Sequence, residues 1–120
     1  MAIGYNKRKL GGEKEQLAGE FLERQGYQIL EYNFYSRWGE IDIVAREDDY
    51  YVFLEVKYRS SDRNGFPEEA VGYGKMQHMT KAAQYYLLRH GLPEDTPCRL
   101  DVVAILGREC HLIRDAFEAV

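Results

Sequence analysis

The stretch Val52-Phe53-Leu54-Glu55-Val56-Lys57 predicts a buried central strand that carries an acid and a base. An apolar run of this length between polar segments is typical of a strand inside a sheet. Because side chains alternate between the two faces of a strand, Phe53, Glu55 and Lys57 are expected on one face. Neighbours on that face lie about 6.5–7 Å apart, so Glu55 and Lys57 can reach a common ligand. Burying both charges is costly, which predicts a cleft at the end of the strand.

The composition is that of an ordinary globular protein. The chain has 120 residues, of which 45% are hydrophobic and 30% charged, enough for one core. No window approaches the roughly 18 apolar residues of a membrane span, and residues 1–5 lack the apolar core of a signal peptide. We therefore expect a cytoplasmic protein without a membrane partner. The net charge of −4 neither indicates nor excludes nucleic acid, because a bound cation reverses the local sign of an acidic site.

We predict a single domain over residues 12–120, preceded by a flexible basic arm over residues 1–11. The arm contains Lys7-Arg8-Lys9, which fits either a frayed terminus or a segment that seeks phosphates. Cys98 and Cys110 have no partner at zinc-finger spacing, so we expect two ordinary buried thiols and no disulfide.

Hydrophobic periodicity predicts a helix, three strands, a second helix and two more strands. The helices are expected at residues 12–24 and 68–90, and the strands at residues 27–35, 40–44, 52–57, 99–106 and 110–113. Residues 58–67 are expected to form a loop, and residues 115–120 a final helical turn. The segment 99–106 is apolar on both faces, which predicts a strand inside the sheet.

A second acid is predicted beside the central strand. In residues 40–44, Glu40 and Asp42 alternate with apolar residues, so we expect both acids on one face, opposite Ile41 and Ile43. An antiparallel hairpin between this strand and the next would place Asp42 alongside Glu55.

Converging carboxylates with a nearby lysine suit one or two Mg²⁺ or Mn²⁺ ions, which prefer oxygen ligands. Such an ion polarises a phosphodiester and lowers the pKa of a bound water. Glu15 would complete the set if the first helix packs beside the sheet, although the helix dipole alone also favours an acid in a first turn. A solvated strand that alternates Glu and Lys is the competing interpretation. Asp42 on the neighbouring strand and the apolar residues around Glu55 favour the metal site.

Four segments together resemble the YraN family of small bacterial proteins. The resemblance extends from about Gly11 to Phe117. Its motifs are Gly39-Glu40-Ile41-Asp42-Ile43-Val44, the run from Val52 to Ser60, Lys75 ahead of Ala82-Ala83, and Arg99-Leu100-Asp101-Val102-Val103-Ala104.

That family is related to restriction-endonuclease-like nucleases, particularly archaeal Holliday-junction resolvases. The resemblance implies an α/β, restriction-endonuclease-like fold with a central mixed β-sheet of about five strands flanked by helices, in αβββαββ order. It also implies Glu15, Asp42 and Glu55 as metal ligands and Lys57 as the residue that positions or activates water. Two positions depart from the relatives: Ile41 stands where a proline is common, and Lys14 where glycine is frequent.

The resulting hypothesis is a Mg²⁺- or Mn²⁺-dependent endonuclease that hydrolyses DNA. The resemblance to resolvases implies branched or unusual structures as substrates and a homodimer as the assembly. Glu40 is expected to support the metal ligands. The candidates for phosphate contacts, each equally explained as surface charge, are Arg37, Arg59, Lys75 and Lys81. The alternative is a non-catalytic module that binds DNA structures or serves in assembly while retaining the nuclease fold. The sequence does not distinguish DNA from RNA as substrate.

Overall fold

The computed structural model describes residues 12–59 and 73–116. Their helices are α1 (Glu13–Arg24) and α2 (Tyr73–Arg89), and their strands are β1 (Gln28–Ser36), β2 (Gly39–Glu47), β3 (Tyr50–Arg59), β4 (Cys98–Leu106) and β5 (Glu109–Ile113). This order confirms the predicted αβββαββ arrangement and its α/β fold class. The basic arm, residues 60–72 and the expected turn at residues 117–120 lie outside the described residues.

The strands form one mixed sheet in the spatial order β1-β2-β3-β4-β5. Only the central pair, β3 and β4, is parallel; the other neighbours run antiparallel. A parallel pair requires a crossover, and α2 lies in the connection between β3 and β4. Tyr58 and Arg59 were expected in a loop, but they extend β3 because Arg59 still pairs with Leu106 of β4.

A helix covers each face of the sheet. On one face α1 packs against a core that includes Val52 and Leu54, and on the other α2 packs against a core that includes Phe53 and Leu100. The alternation predicted for β3 is therefore confirmed. Glu55 is two residues from Phe53 on β3, so it lies on the same face, which is the one that α2 covers. Its contact with Lys75 of α2 is consistent with this position.

The prediction that Ile41 and Ile43 share a face is wrong. Ile43 packs in the core beneath α1, whereas Ile41 packs in the core beneath α2. The cause lies in the facing strand, where Asn33 adopts a left-handed conformation with φ of 54°. The pairing of β1 with β2 omits the positions of Asn33 and Asp42, so regular alternation is interrupted at Asp42.

A buried ionic network joins β4 to residues near the ends of β1, β2 and β5. Asp101 is fully buried and accepts hydrogen bonds from the Tyr27 hydroxyl at 2.8 Å and from the Arg99 guanidinium at 3.0 and 3.1 Å. Arg99 also donates to Glu47 at 2.6 Å. Arg114 binds the same carboxylate, and the two guanidinium groups lower the pKa of Glu47 to about 2. The prediction that the segment 99–106 forms a strand inside the sheet is confirmed, since β4 lies between β3 and β5, and its buried Asp101 is held by this network.

The two cysteines are free, as expected, but Cys98 is exposed rather than buried. It is the first residue of β4 and so stands at the end of the sheet, where the core no longer covers it. Cys110 is partly buried. Among the described residues, no helix is both long enough and apolar enough to cross a membrane.

Candidate metal centre

The candidate site forms where β2 and β3 stop pairing. The last pair of their ladder joins Ile43 to Leu54, and the next position on each strand carries an acid, Asp42 and Glu55. Instead of a backbone carbonyl, Asp42 Oδ2 accepts the hydrogen bond of the Val56 N–H at 2.8 Å. The Asp42 carboxylate is thus fixed to β3 beside Glu55, which agrees with the juxtaposition expected from the hairpin.

Glu55 is a buried carboxylate that two lysines approach. Only 5% of the residue is exposed. Lys57 Nζ lies 3.7 Å from Oε2, and Lys75 Nζ, from the first turns of α2, lies 3.2 Å from Oε1. Oε1 is nevertheless buried without a hydrogen-bond donor among the described groups, because Lys75 is close to it without the alignment of a hydrogen bond. A buried anionic oxygen in this situation is suited to a cation.

The electrostatic surroundings of Asp42 are acidic. Burial, which is the largest cause, and the charge of Glu55 raise the pKa of Asp42 to about 7, while the hydrogen bond from Val56 opposes the rise. Glu40 and Glu15 add smaller repulsions in the same direction. A divalent cation at this position would offset the repulsion among these carboxylates.

Two of the predicted acids have other partners. Glu15 Oε1 accepts a hydrogen bond from the Gly12 N–H at 3.0 Å, so its carboxylate caps the start of α1. Glu40 accepts a hydrogen bond from Asn33 Nδ2 at 2.5 Å. Both side chains influence Asp42 through their charge, and Glu15 would have to release the helix cap to serve as a ligand.

The donor set suits a hard cation held mainly by two carboxylates. Within residues 12–59 and 73–116, no three Asp, Glu, His or Cys side chains are arranged so as to hold a metal ion. Asp42 and Glu55 are the two acids that β2 and β3 bring together. Mg²⁺ commonly binds proteins through one or two carboxylates, with waters and substrate phosphates as its other ligands. The pair therefore fits Mg²⁺ or Mn²⁺, with Glu15 as a third ligand still a prediction.

The four predicted phosphate contacts occupy different places. Lys75 lies at the acidic pair. Arg59 donates to the carbonyl oxygen of its neighbour Tyr58 at 2.9 Å. Arg37 lies over the ring of Trp38, with 5.0 Å between the guanidinium carbon and the ring centroid, and Lys81 lines a cavity beside the same ring. Only Lys75 among these four is in contact with the candidate metal ligands.

Sequence reasoning did not anticipate two features here. The contact of Lys75 with Glu55 depends on how α2 crosses the sheet, and the sequence offered only a basic residue near the start of a predicted helix. The packing of Trp38 on Tyr85 joins the β1–β2 turn to α2. The feature of the sequence that could have indicated this contact was a lone tryptophan beside an arginine in a predicted turn.

Comparison with known proteins finds the same family by a family model and by individual relatives. A family model described as "Uncharacterised protein family UPF0102" matches residues 14–105. A UPF0102 protein of Lachnoclostridium phytofermentans is 54% identical over 114 residues, which cover 95% of this chain and 97% of the relative. One from Syntrophus aciditrophicus is 46% identical, with 92% and 87% covered, and one from Thermodesulfovibrio yellowstonii is 44% identical, with 91% and 96% covered.

Proposed function

We propose that this chain, which belongs to the UPF0102 (YraN) family, is a metal-dependent nuclease that hydrolyses phosphodiester bonds in DNA. The observation that supports this most is the position of Asp42, which is partly buried, and Glu55, which is buried, at the point where β2 and β3 stop pairing. Lys57, on the same strand as Glu55, supplies a cation at that point. Carboxylates and a lysine arranged in this way suit phosphoryl chemistry.

In the proposed mechanism, Asp42 and Glu55 hold the metal ion. When bound, Mg²⁺ or Mn²⁺ polarises the phosphodiester and makes a coordinated water more acidic. Lys57, whose side chain is 25% exposed, is accessible to a substrate phosphate. Its ammonium group would orient the water that adds to phosphorus while one P–O ester bond breaks, and would offset the negative charge that develops.

Lys75 has a separate part in the proposal. Both lysines compensate the charge of Glu55 in the metal-free protein, since their amino groups lie 3.2 and 3.7 Å from its oxygens. A cation bound to Glu55 would take over that compensation. Lys75 extends from α2 and is 39% exposed, so it could then turn to a phosphate of the substrate.

Branched or otherwise unusual DNA is the proposed substrate class, by relation to resolvases. The alternative is a non-catalytic module that binds DNA structures or serves in assembly. The net charge of −4 and the engagement of Glu15 in capping α1 favour that alternative. The position of Asp42 next to Glu55 and the contact of Glu55 with Lys57 favour the enzyme.

The metal site is tested by thermal unfolding of the wild type and of Asp42→Asn in Mg²⁺ and Mn²⁺. Asparagine keeps an oxygen that can accept the Val56 N–H, so the variant removes charge with little change in shape. At a metal concentration of ten times Kd, the wild type gains about 1.4 kcal/mol, a rise in Tm of roughly 4–8 °C. The variant is expected to lose most of this rise.

Glu109→Gln is the matched control, because Glu109 is an exposed acid on β5 whose carboxylate lies 3.0 Å from Nε2 of His111. Its metal-dependent rise in Tm should equal that of the wild type. An undiminished rise in Asp42→Asn would contradict the assignment of Asp42 as a ligand.

A further inference from the structure

We propose that Trp38 and Tyr85 form a stacking site for an unpaired DNA base, separate from the metal centre. Trp38 lies in the turn between β1 and β2, and Tyr85 lies on α2. Their ring centroids are 5.7 Å apart, and their planes meet at 62°. The proposal rests on the proposed function for its ligand, a DNA strand, and its geometry is independent of the metal ligands.

The two rings are supported from below. Tyr85 also contacts the ring of Phe34, at 6.1 Å between centroids, and Phe34 is itself buried against Tyr86. The turn that carries Trp38 is thereby fixed to α2 through aromatic contacts. Rings held in this way offer a base a preformed surface, which lowers the entropy cost of binding.

Cations surround the ring pair. The guanidinium carbon of Arg37 lies 5.0 Å from the centroid of the Trp38 ring, and that of Arg89 lies 5.7 Å from the centroid of Tyr85. Lys81 and Glu94 line the adjoining cavity. These three cations and one acid give the surroundings of the rings a positive charge, whereas the whole chain has a net charge of −4. Aromatic rings flanked by cations are the usual means of binding single-stranded nucleic acid, since the rings stack on bases while the cations meet phosphates.

A cavity beside the rings has room for a base. Its volume is about 600 Å³, and Leu88, which is 75% exposed, contributes to its apolar wall. Pockets of roughly 300–1,000 Å³ accommodate drug-sized ligands, so one nucleotide fits.

The position of the rings agrees with a strand that continues from the cleavage site. Trp38 lies in the turn just before β2, and Asp42 is the fourth residue of β2, so Asp42 lies about 10 Å along the strand from the start of β2 at 3.3 Å per residue. A strand within a duplex advances about 3.4 Å per nucleotide, so the interval corresponds to roughly three nucleotides of duplex. A base unpaired near a branch or flap would therefore reach the rings while a phosphate lies at Glu55.

The chain contains a single tryptophan and 10 tyrosines, so fluorescence excited at a wavelength that tyrosine does not absorb reports on Trp38 alone. The experiment titrates the full chain, in EDTA to prevent cleavage, with oligothymidylate and with an oligonucleotide of equal length that has abasic sites throughout. Stacking predicts saturable quenching by the first and little by the second. Equal quenching by both, binding without quenching, or no binding would overturn the proposal.

Two substitutions test the rings without relying on fluorescence. Tyr85→Leu and Trp38→Leu should each weaken binding of a labelled oligothymidylate about tenfold in anisotropy titrations, within the range for loss of one stacked base. Tyr35→Leu is the control, because Tyr35 is 71% exposed on the same hairpin and has no contact in the ring pair. Unchanged affinity in both ring variants would contradict the site, provided that their circular dichroism matches the wild type.

The quenching and cleavage results together distinguish a failure of the stacking site from a failure of the proposed nuclease. Quenching without cleavage in metal would support the stacking site and count against the nuclease. Cleavage without quenching would support the nuclease and count against the stacking site.

Discussion

Replacement of Lys57 by alanine is expected to lower the rate of DNA cleavage at least 100-fold while the metal-dependent rise in Tm is retained. The ammonium group lies 3.7 Å from Glu55 and is accessible to solvent, where it can meet a phosphate and its attacking water. Loss of one group that acts on the transition state typically costs a factor of about 10²–10⁴. Lys75 stays near Glu55, so the buried carboxylate keeps a counter-charge and the fold should persist.

Lys14→Ala is a suitable control for this variant. Lys14 is exposed on α1, with its amino group 4.3 Å from the centroid of Tyr58, so Lys14→Ala removes the same charge from a lysine other than the two that contact Glu55. Cleavage rates under single-turnover conditions would be compared with the wild type. Equal rates for Lys57→Ala and the wild type would exclude the role assigned to Lys57.

Asp101→Asn is expected to reduce the free energy of unfolding by about 3–5 kcal/mol. The aspartate is fully buried and accepts hydrogen bonds from Tyr27, Arg99 and the backbone N–H of Asp115. Asparagine has nearly the same shape, but it removes one of the two charges that compensate Arg99, whose side chain is only 14% exposed, and leaves Glu47 as the other. Breaking one partner of a buried ion pair in this way is costly.

Urea denaturation would measure the effect, with Glu109→Gln as the comparison. The pair of Glu109 with His111 is exposed, so its loss should cost no more than about 0.5 kcal/mol. A loss below 1 kcal/mol in Asp101→Asn would show that the network contributes little to stability.

Much of the fold follows from local patterns in the sequence. The apolar run around Glu55 predicted the central strand, and alternation predicted its two faces, because burial on both sides of a sheet leaves a period of two. The juxtaposition of Asp42 with Glu55 also followed, since a short polar connection between two strands produces an antiparallel hairpin.

Features that depend on distant contacts could not be predicted in this way. The change of face between Ile41 and Ile43 arises from the left-handed conformation of Asn33, a local backbone state on the neighbouring strand. The hydrogen bond from Tyr27 to Asp101 joins residues 74 positions apart, and it explains a charge inside an apolar strand. Lys75 reaches Glu55 because of the path of α2, which periodicity does not specify.

The most direct test of the central claim is cleavage of a panel of DNAs, namely duplex, single strand, flap and four-way junction, in Mg²⁺ and in Mn²⁺. The same panel would be given to Glu55→Gln, purified in parallel, which removes the buried charge and controls for a contaminating nuclease. We expect the wild type to cut at least one substrate only when metal is present, and Glu55→Gln to cut none. Absence of cleavage of every substrate by the wild type, or equal cleavage by Glu55→Gln, would contradict the assignment of a nuclease.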